Sequence, residues 1–137
     1  MELNFTTTKE KYYIQIITLF RSIPPFNTLR TQEILVLAWL MYYHNKIKTK
    51  RNLNELETNL ILFDNEYKNK IIDKLLKDDE DGTAYEKALA RFSNILTSLR
   101  KKKFILIIKN KNTLNTKFIF NHTKISNINF KFNIVNK

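Results

Sequence analysis

Four stretches of this chain carry apolar residues at helical spacing, and one near the C-terminus alternates apolar with polar positions. Tyr12, Ile16, Ile17 and Phe20 share one face. They predict a helix to about Ser22, with Thr6, Thr7 and Thr8 offering N-caps and Glu2–Phe5 a short strand before it. Pro24 and Pro25 stop that helix, because neither can donate a helical hydrogen bond. A second helix is expected from Thr28–Thr31 onward. Ile34, Leu35, Leu37, Ala38 and Leu40 surround it almost completely, so it should be central, and Lys46–Asn54 should be a polar, basic loop.

Leu53–Leu62 fits a short helix and a strand equally. Leu60–Phe63 reads as an apolar lead-in to a third helix, capped by Asp64 or Asn65, with Ile71, Ile72, Leu75 and Leu76 facing the core. The run Asp78-Asp79-Glu80-Asp81-Gly82 breaks it, and Thr83 caps a fourth helix running to about Lys102. Asp81 would lie near the positive N-terminus of that helix, a favourable place for an acid. Phe104–Ile108 and Lys117–Phe120 flank the polar segment Asn110–Asn115, which predicts a hairpin. Ile128, Phe130, Phe132 and Ile134 alternate with Asn129, Lys131 and Asn133, the pattern of a half-buried last strand.

Composition narrows the class. Apolar residues make up 43% of 137, enough for a core, and one Gly with two Pro leaves little material for flexible linkers, so one domain is expected. The absence of cysteine excludes disulfides, thiolate metal sites and catalytic thiols. His44 and His122 have no recognisable ligand spacing, so no metal is expected. A single glycine excludes a glycine-rich phosphate loop, and no nucleophile elbow or zinc motif is present. The expectation is therefore a non-enzyme without a cofactor, although Glu55 and Glu57 are acids able to act as a pair. The most hydrophobic run, Ile34–Tyr43, is about half the ~20 residues of a membrane span, so a buried helix is expected and no membrane partner. No secretory signal is visible at Met1-Glu2, and a cytoplasmic location is expected.

Charge changes the picture most. No acid occurs after Glu86, while Lys87–Lys137 holds 12 of the 24 Lys and Arg. The last 51 residues are therefore +12, and the first 86 are −1. An AT-rich coding bias would enrich lysine along the whole chain and cannot make the acids stop at one place. A one-sided charge of this size makes a polyanion the default partner. The fourth helix lies at the boundary. Ala84, Ala88, Phe92, Ile95, Leu96 and Leu99 form its apolar stripe, and Lys87, Arg91, Asn94, Ser98 and Lys101 lie nearly opposite.

The order helix, helix, helix, basic exit, hairpin resembles small phage-type winged helix-turn-helix proteins. The residues that carry the likeness are Ile71–Leu76 and then Ala90–Ile105, where Leu99, Arg100, Lys101, Lys102 and Lys103 lead into Phe104-Ile105. The likeness covers roughly residues 28–120. Residues 1–27 would be a helical extension and 121–137 a C-terminal strand. It departs from the family at two places: Lys103 stands where a glycine usually precedes the wing, and the turn before the fourth helix carries four acids. The resemblance implies an α+β fold, with a winged-helix-like core of three to four helices, a C-terminal hairpin and an additional strand. It also implies duplex DNA as the partner, in transcription control or replication initiation of a phage or mobile element.

On such a helix Arg91 can bond bidentately to guanine and Asn94 to adenine. Lys87, Ser98, Arg100, Lys101, Lys102 and Lys103 suit phosphates, and Lys109, Lys111 and Lys117 of the hairpin can reach a phosphate or minor groove. A solvated helix face and lysine protection of an edge strand explain the same residues without DNA. Tyr12-Tyr13 and Trp39, Tyr42 and Tyr43 can stack on bases, but their helical setting favours core packing. Asp78–Asp81 lacks the spacing of a calcium loop. The alternative is a non-enzymatic virion or adaptor protein, whose strand edge would extend a partner's sheet and whose basic face would meet an acidic protein or packaged genome. Further partners on either reading are a second copy of the chain or another phage protein, and the location would be host cytoplasm or virion.

Overall fold

The helix that is apolar on nearly every side runs through the middle of the structure. The computed structural model describes residues 2–77, 85–115, 117 and 129–135. It is mostly helical, an α+β arrangement of five α-helices with a small two-stranded antiparallel sheet and one parallel strand pair among the described residues. The elements are β1 (Glu2–Thr8), α1 (Lys9–Leu19), a 3-10 turn (Phe26–Thr28), α2 (Thr31–Arg51), α3 (Glu55–Leu62), α4 (Asn65–Lys77), α5 (Tyr85–Lys101), β2 (Ile105–Ile108), β3 (Lys111–Leu114) and β4 (Asn129–Val135).

Helix α2 buries Ile34, Val36, Leu37, Ala38, Trp39, Leu40, Met41, Tyr43, His44 and Ile47, so α1, α3, α4 and α5 all pack around it. One cluster of buried side chains joins Tyr12, Ile16 and Ile17 of α1 to Ile71, Ile72 and Leu75 of α4 and to Ala88, Phe92, Ile95 and Leu99 of α5. Leu96, expected in that core, is half-buried at its margin. Truncating one of the fully enclosed members, such as Leu99, would cost about 2–5 kcal/mol through lost burial and the cavity left behind.

Several boundaries differ from the sequence expectation, each for a physical reason. Thr6, Thr7 and Thr8 belong to β1, which pairs in parallel with β4 from Glu2↔Asn129 to Thr8↔Val135, and α1 starts directly after them at Lys9. Lys46–Arg51 is not loop but the last turns of α2. Ile47 is 2% exposed one turn after Tyr43, while Lys48, Lys50 and Arg51 complement the negative end of the helix dipole. Asn52, in the left-handed region at φ 51°, ends the helix.

The ambiguous segment is the helix α3, capped by Asn54, whose side chain accepts from the Glu57 N–H at 2.8 Å. Leu60–Leu62 therefore closes α3 rather than leading into α4. Helix α4 starts directly after Asp64, whose carboxylate accepts from the Asn65 N–H at 2.8 Å. The hairpin is tighter than expected, with Lys109 and Asn110 alone at its tip and Lys111–Leu114 as the return strand. Thr83, Ala84, the acidic run Asp78–Asp81, Phe118–Phe120 and His122 lie outside the described residues.

Candidate nucleic-acid interface

Helix α5 has the two faces its sequence predicts. Ala88, Phe92, Ile95 and Leu99 are buried, Lys87, Asn94 and Lys101 are exposed, and Arg91 and Ser98 are half-buried between them. Its end is shaped by Lys103, the residue standing where a glycine is usual. Lys103 adopts φ 68°. Its N–H reaches the Arg100 carbonyl at 3.1 Å, and the Phe104 N–H reaches the Leu99 carbonyl at 3.0 Å. These two bonds form a Schellman motif, completed by the apolar contact expected between Leu99 and Phe104, both wholly buried. A lysine in this conformation costs about 1 kcal/mol against glycine. It leaves the ammonium exposed at the helix exit.

Phe104 then lies 5.4 Å, ring to ring, from Phe26, which ties the exit to the turn before α2. Asn115 seals the other side: its side chain donates to the Lys103 carbonyl at 2.7 Å, and its N–H donates to the Phe104 carbonyl at 2.9 Å. The hairpin turns on Lys109 (φ 51°) and Asn110 (φ 62°), the positive-φ pair of a two-residue type I′ turn. At its base the Leu114 N–H donates to the Asn59 side chain at 2.8 Å, which fastens β3 to α3. Lys101, Lys103, Lys109, Lys111 and Lys117 are all exposed.

Three residues expected to meet phosphate are half-buried and bonded to other parts of the fold. Lys102 donates to the Glu33 carboxylate at 2.7 Å and to the Thr28 carbonyl at 2.6 Å. Ser98 donates to the second Glu33 oxygen. Arg100 donates to Asn112 of β3 and to Thr97, each at 3.1 Å, and so braces the hairpin against the helix. Glu33, with a side chain only 5% exposed, also accepts from the Arg30 N–H at 2.8 Å. Burial by itself pushes its carboxyl up. The bonds from Lys102, Ser98 and Arg30, together with the Lys102 charge, outweigh that and hold it below the ordinary carboxylate value. The first turn of α2 thus lies against the outer half of α5. Arg30, Thr31, Gln32 and Glu33 on one side, and Arg91, Asn94, Ile95 and Ser98 on the other, line a groove of about 480 Å³.

A second polar cluster went unseen in the sequence. The buried His44 ring nitrogen Nε2 meets Glu55 Oε2 at 2.9 Å, and Lys48 bonds the other Glu55 oxygen. Asn59 donates to the Glu55 backbone carbonyl at 2.8 Å. Eleven residues and a helix break separate His44 from Glu55, so no spacing rule signals the pair. It clamps α3 onto α2. The aromatic residues pack in and around the core: Trp39 stacks on Tyr43 at 5.6 Å, Tyr43 meets Tyr67 at 5.1 Å, and Lys74 and Lys70 each cover a ring at 4.7 Å. Burial pushes the Tyr13 phenol up to about 12, with Tyr42 adding to the shift, so it stays neutral.

Among the described residues no group of three His, Cys, Asp or Glu is placed to hold a metal, and no helix is long and apolar enough to cross a membrane. No known protein family, curated protein or solved structure matches the chain.

Proposed function

We propose that the chain is a duplex DNA-binding protein of winged-helix type, acting in transcription control or replication initiation of a phage or mobile element. Helix α5 is its recognition helix and β2–β3 its wing. The observation that supports this most is the distribution of exposed side chains from Lys87 onward. Lys87, Lys101, Lys103, Lys109, Lys111 and Lys117 are all exposed, and no acid interrupts the run. Ser98, Arg100 and Lys102 serve the interface from behind by fixing the angle of the helix and the hairpin. Arg91 and Asn94 are one turn apart beside the first turn of α2, Asn94 exposed and Arg91 half-buried, and both are side chains of the kind that read base edges.

About five or six phosphate contacts would give a log-log salt slope of about −5. The test is an anisotropy titration of random duplex, single strand and RNA over a range of salt. Duplex should bind best and with that slope. No binding to any duplex at low salt would sink the proposal. The second reading, an adaptor that docks through its hairpin, draws support from Ile107 and Ile108, which are 64% and 46% exposed.

A further inference from the structure

Helices α1 and α4 both pack on α2, and among the described residues the valley between them is a cleft of about 370 Å³. Its apolar wall comes from three helices: Ile14 of α1, Ile34 and Leu35 of α2, and Leu75 of α4. Ile34 and Leu75 are buried in the core, whereas Ile14 and Leu35 are only half-buried, so aliphatic surface stays open along the cleft. Single exposed apolar residues are common and need no account. A concave aliphatic wall is different. Small-molecule sites are clefts of about 300–1,000 Å³, mostly apolar, with a few polar groups that fix the orientation of the occupant.

The polar groups of this cleft select the charge of its occupant. Arg21, just past the end of α1, is the one charged residue lining it among the described residues, and it is exposed. Thr18, Thr31 and Gln32 complete the rim. Thr18 spends its hydroxyl hydrogen on the Ile14 carbonyl at 2.7 Å, so the side-chain donors of the rim are Arg21, Thr31 and Gln32. That set calls for an acceptor. A guanidinium fork matches a carboxylate with two parallel bonds, and one cation balances one negative charge. Size narrows the choice further. At about 30 Å³ for each water-sized group the cleft holds about a dozen of them, the room taken by a carboxylate with a chain of about ten carbons. A second copy of the chain does not suit it, because a stable protein interface covers about 800 Å² on each partner, far more than a cleft for a dozen groups offers.

We infer that the cleft between α1, α2 and α4 binds a small amphipathic carboxylate. Its hydrocarbon chain lies on Ile14, Ile34, Leu35 and Leu75, and its head group bonds to Arg21 with Thr31 and Gln32 beside it. The inference goes beyond the DNA-binding proposal and stands independently of it. Affinity comes mainly from the chain, since each buried methylene strengthens binding about fourfold. Selection for an anion comes from the guanidinium. For an occupant of about a dozen heavy atoms the dissociation constant is on the order of 0.1 mM.

The experiment titrates the full chain with decanoate, octanoate and decanol, to about ten times that constant, and follows the Ile and Leu methyl signals by NMR. Decanoate should move the methyls of Ile14, Ile34, Leu35 and Leu75 and leave those of Leu99 and Ile105 in place. Octanoate, two methylenes shorter, should bind about tenfold more weakly. Decanol, which keeps the chain and lacks the charge, should also bind about tenfold more weakly than decanoate. Arg21→Gln should bring decanoate down to the level of decanol and leave decanol unchanged, and Thr18→Phe should fill the cleft and weaken both. Arg21 and Thr18 are exposed, so both variants should keep the fold, with Leu99 and Ile105 signals as the check. Decanol binding as tightly as decanoate, or Arg21→Gln binding decanoate like the wild type, overturns the carboxylate site. No shift at the cleft methyls overturns it as well. Shifts spread equally over Leu99 and Ile105 report detergent-like insertion into the core and overturn it too.

Discussion

The junction of α2 with α5 turns on Glu33, and its weight can be worked out from the geometry. The carboxylate takes donors from Lys102 at 2.7 Å, from the Arg30 N–H at 2.8 Å and from Ser98. Charge-assisted bonds contribute about 1.5–3 kcal/mol each, but a simple sum overshoots, because Lys102 keeps 24% of its side-chain surface exposed and can turn to water once Glu33 is gone. Glu33→Gln, which keeps the shape and loses the ion pair, should therefore cost about 2–3 kcal/mol. Lys102→Met should cost more, about 3–4 kcal/mol. It strands a carboxylate that is only 5% exposed, and removing one partner of a buried pair leaves the other charge uncompensated.

Urea unfolding is the assay. At a slope of about 2 kcal/mol per molar, Glu33→Gln should lower the midpoint by about 1–1.5 M. The double variant should cost less than the two singles together by about 1–2 kcal/mol. The pH dependence has a definite sign. The folded-state pKa of Glu33 is lowered, so its contribution is present above the unfolded value and is lost as pH falls through the folded one. The gap between wild type and Glu33→Gln should accordingly narrow on acidification below about pH 4. Equal costs for Glu33→Gln and Lys102→Met, or no coupling between them, would refute the assignment of the pair as a buried latch.

Further predictions concern the interface and its supports. Arg91→Ala should relax sequence preference and cost about 1–3 kcal/mol at a selected site, whereas Lys101→Ala should weaken all duplexes alike and make the salt slope shallower by about one, both by titration. Lys103→Gly should raise the urea midpoint slightly, by up to about 1 kcal/mol of stability, since glycine takes φ 68° without strain, and should still weaken duplex binding by removing a charge. Asn59→Leu should cost about 1–3 kcal/mol and speed amide exchange at Leu114, because the buried Leu114 N–H loses its acceptor.

Periodicity and charge along the chain were sufficient for the helical stripes of α1, α2, α4 and α5, the central burial of α2 from Ile34 to Leu40, the amphipathic face of α5 and the basic character of everything after Glu86. These rest on local rules, a 3.6-residue period, a cap or a missing N–H, which act within a few residues. Short apolar runs were not legible in the same way. Leu53–Leu62 has nearly equal local energy as helix or strand, and packing against α2 with the Asn54 cap decides for the helix. The hairpin register came from Leu114 finding a buried place opposite Ile105, which moved the return strand several residues nearer the turn. The roles of individual bases were least legible of all. Arg100 through Lys103 read as one cluster, yet Lys102 is spent on an acid 69 residues away, Arg100 on the hairpin, and Lys101 and Lys103 remain exposed. Which lysine pairs inward depends on where two helices cross. That crossing is set by the summed fit of the whole core, a quantity no local stretch of sequence contains.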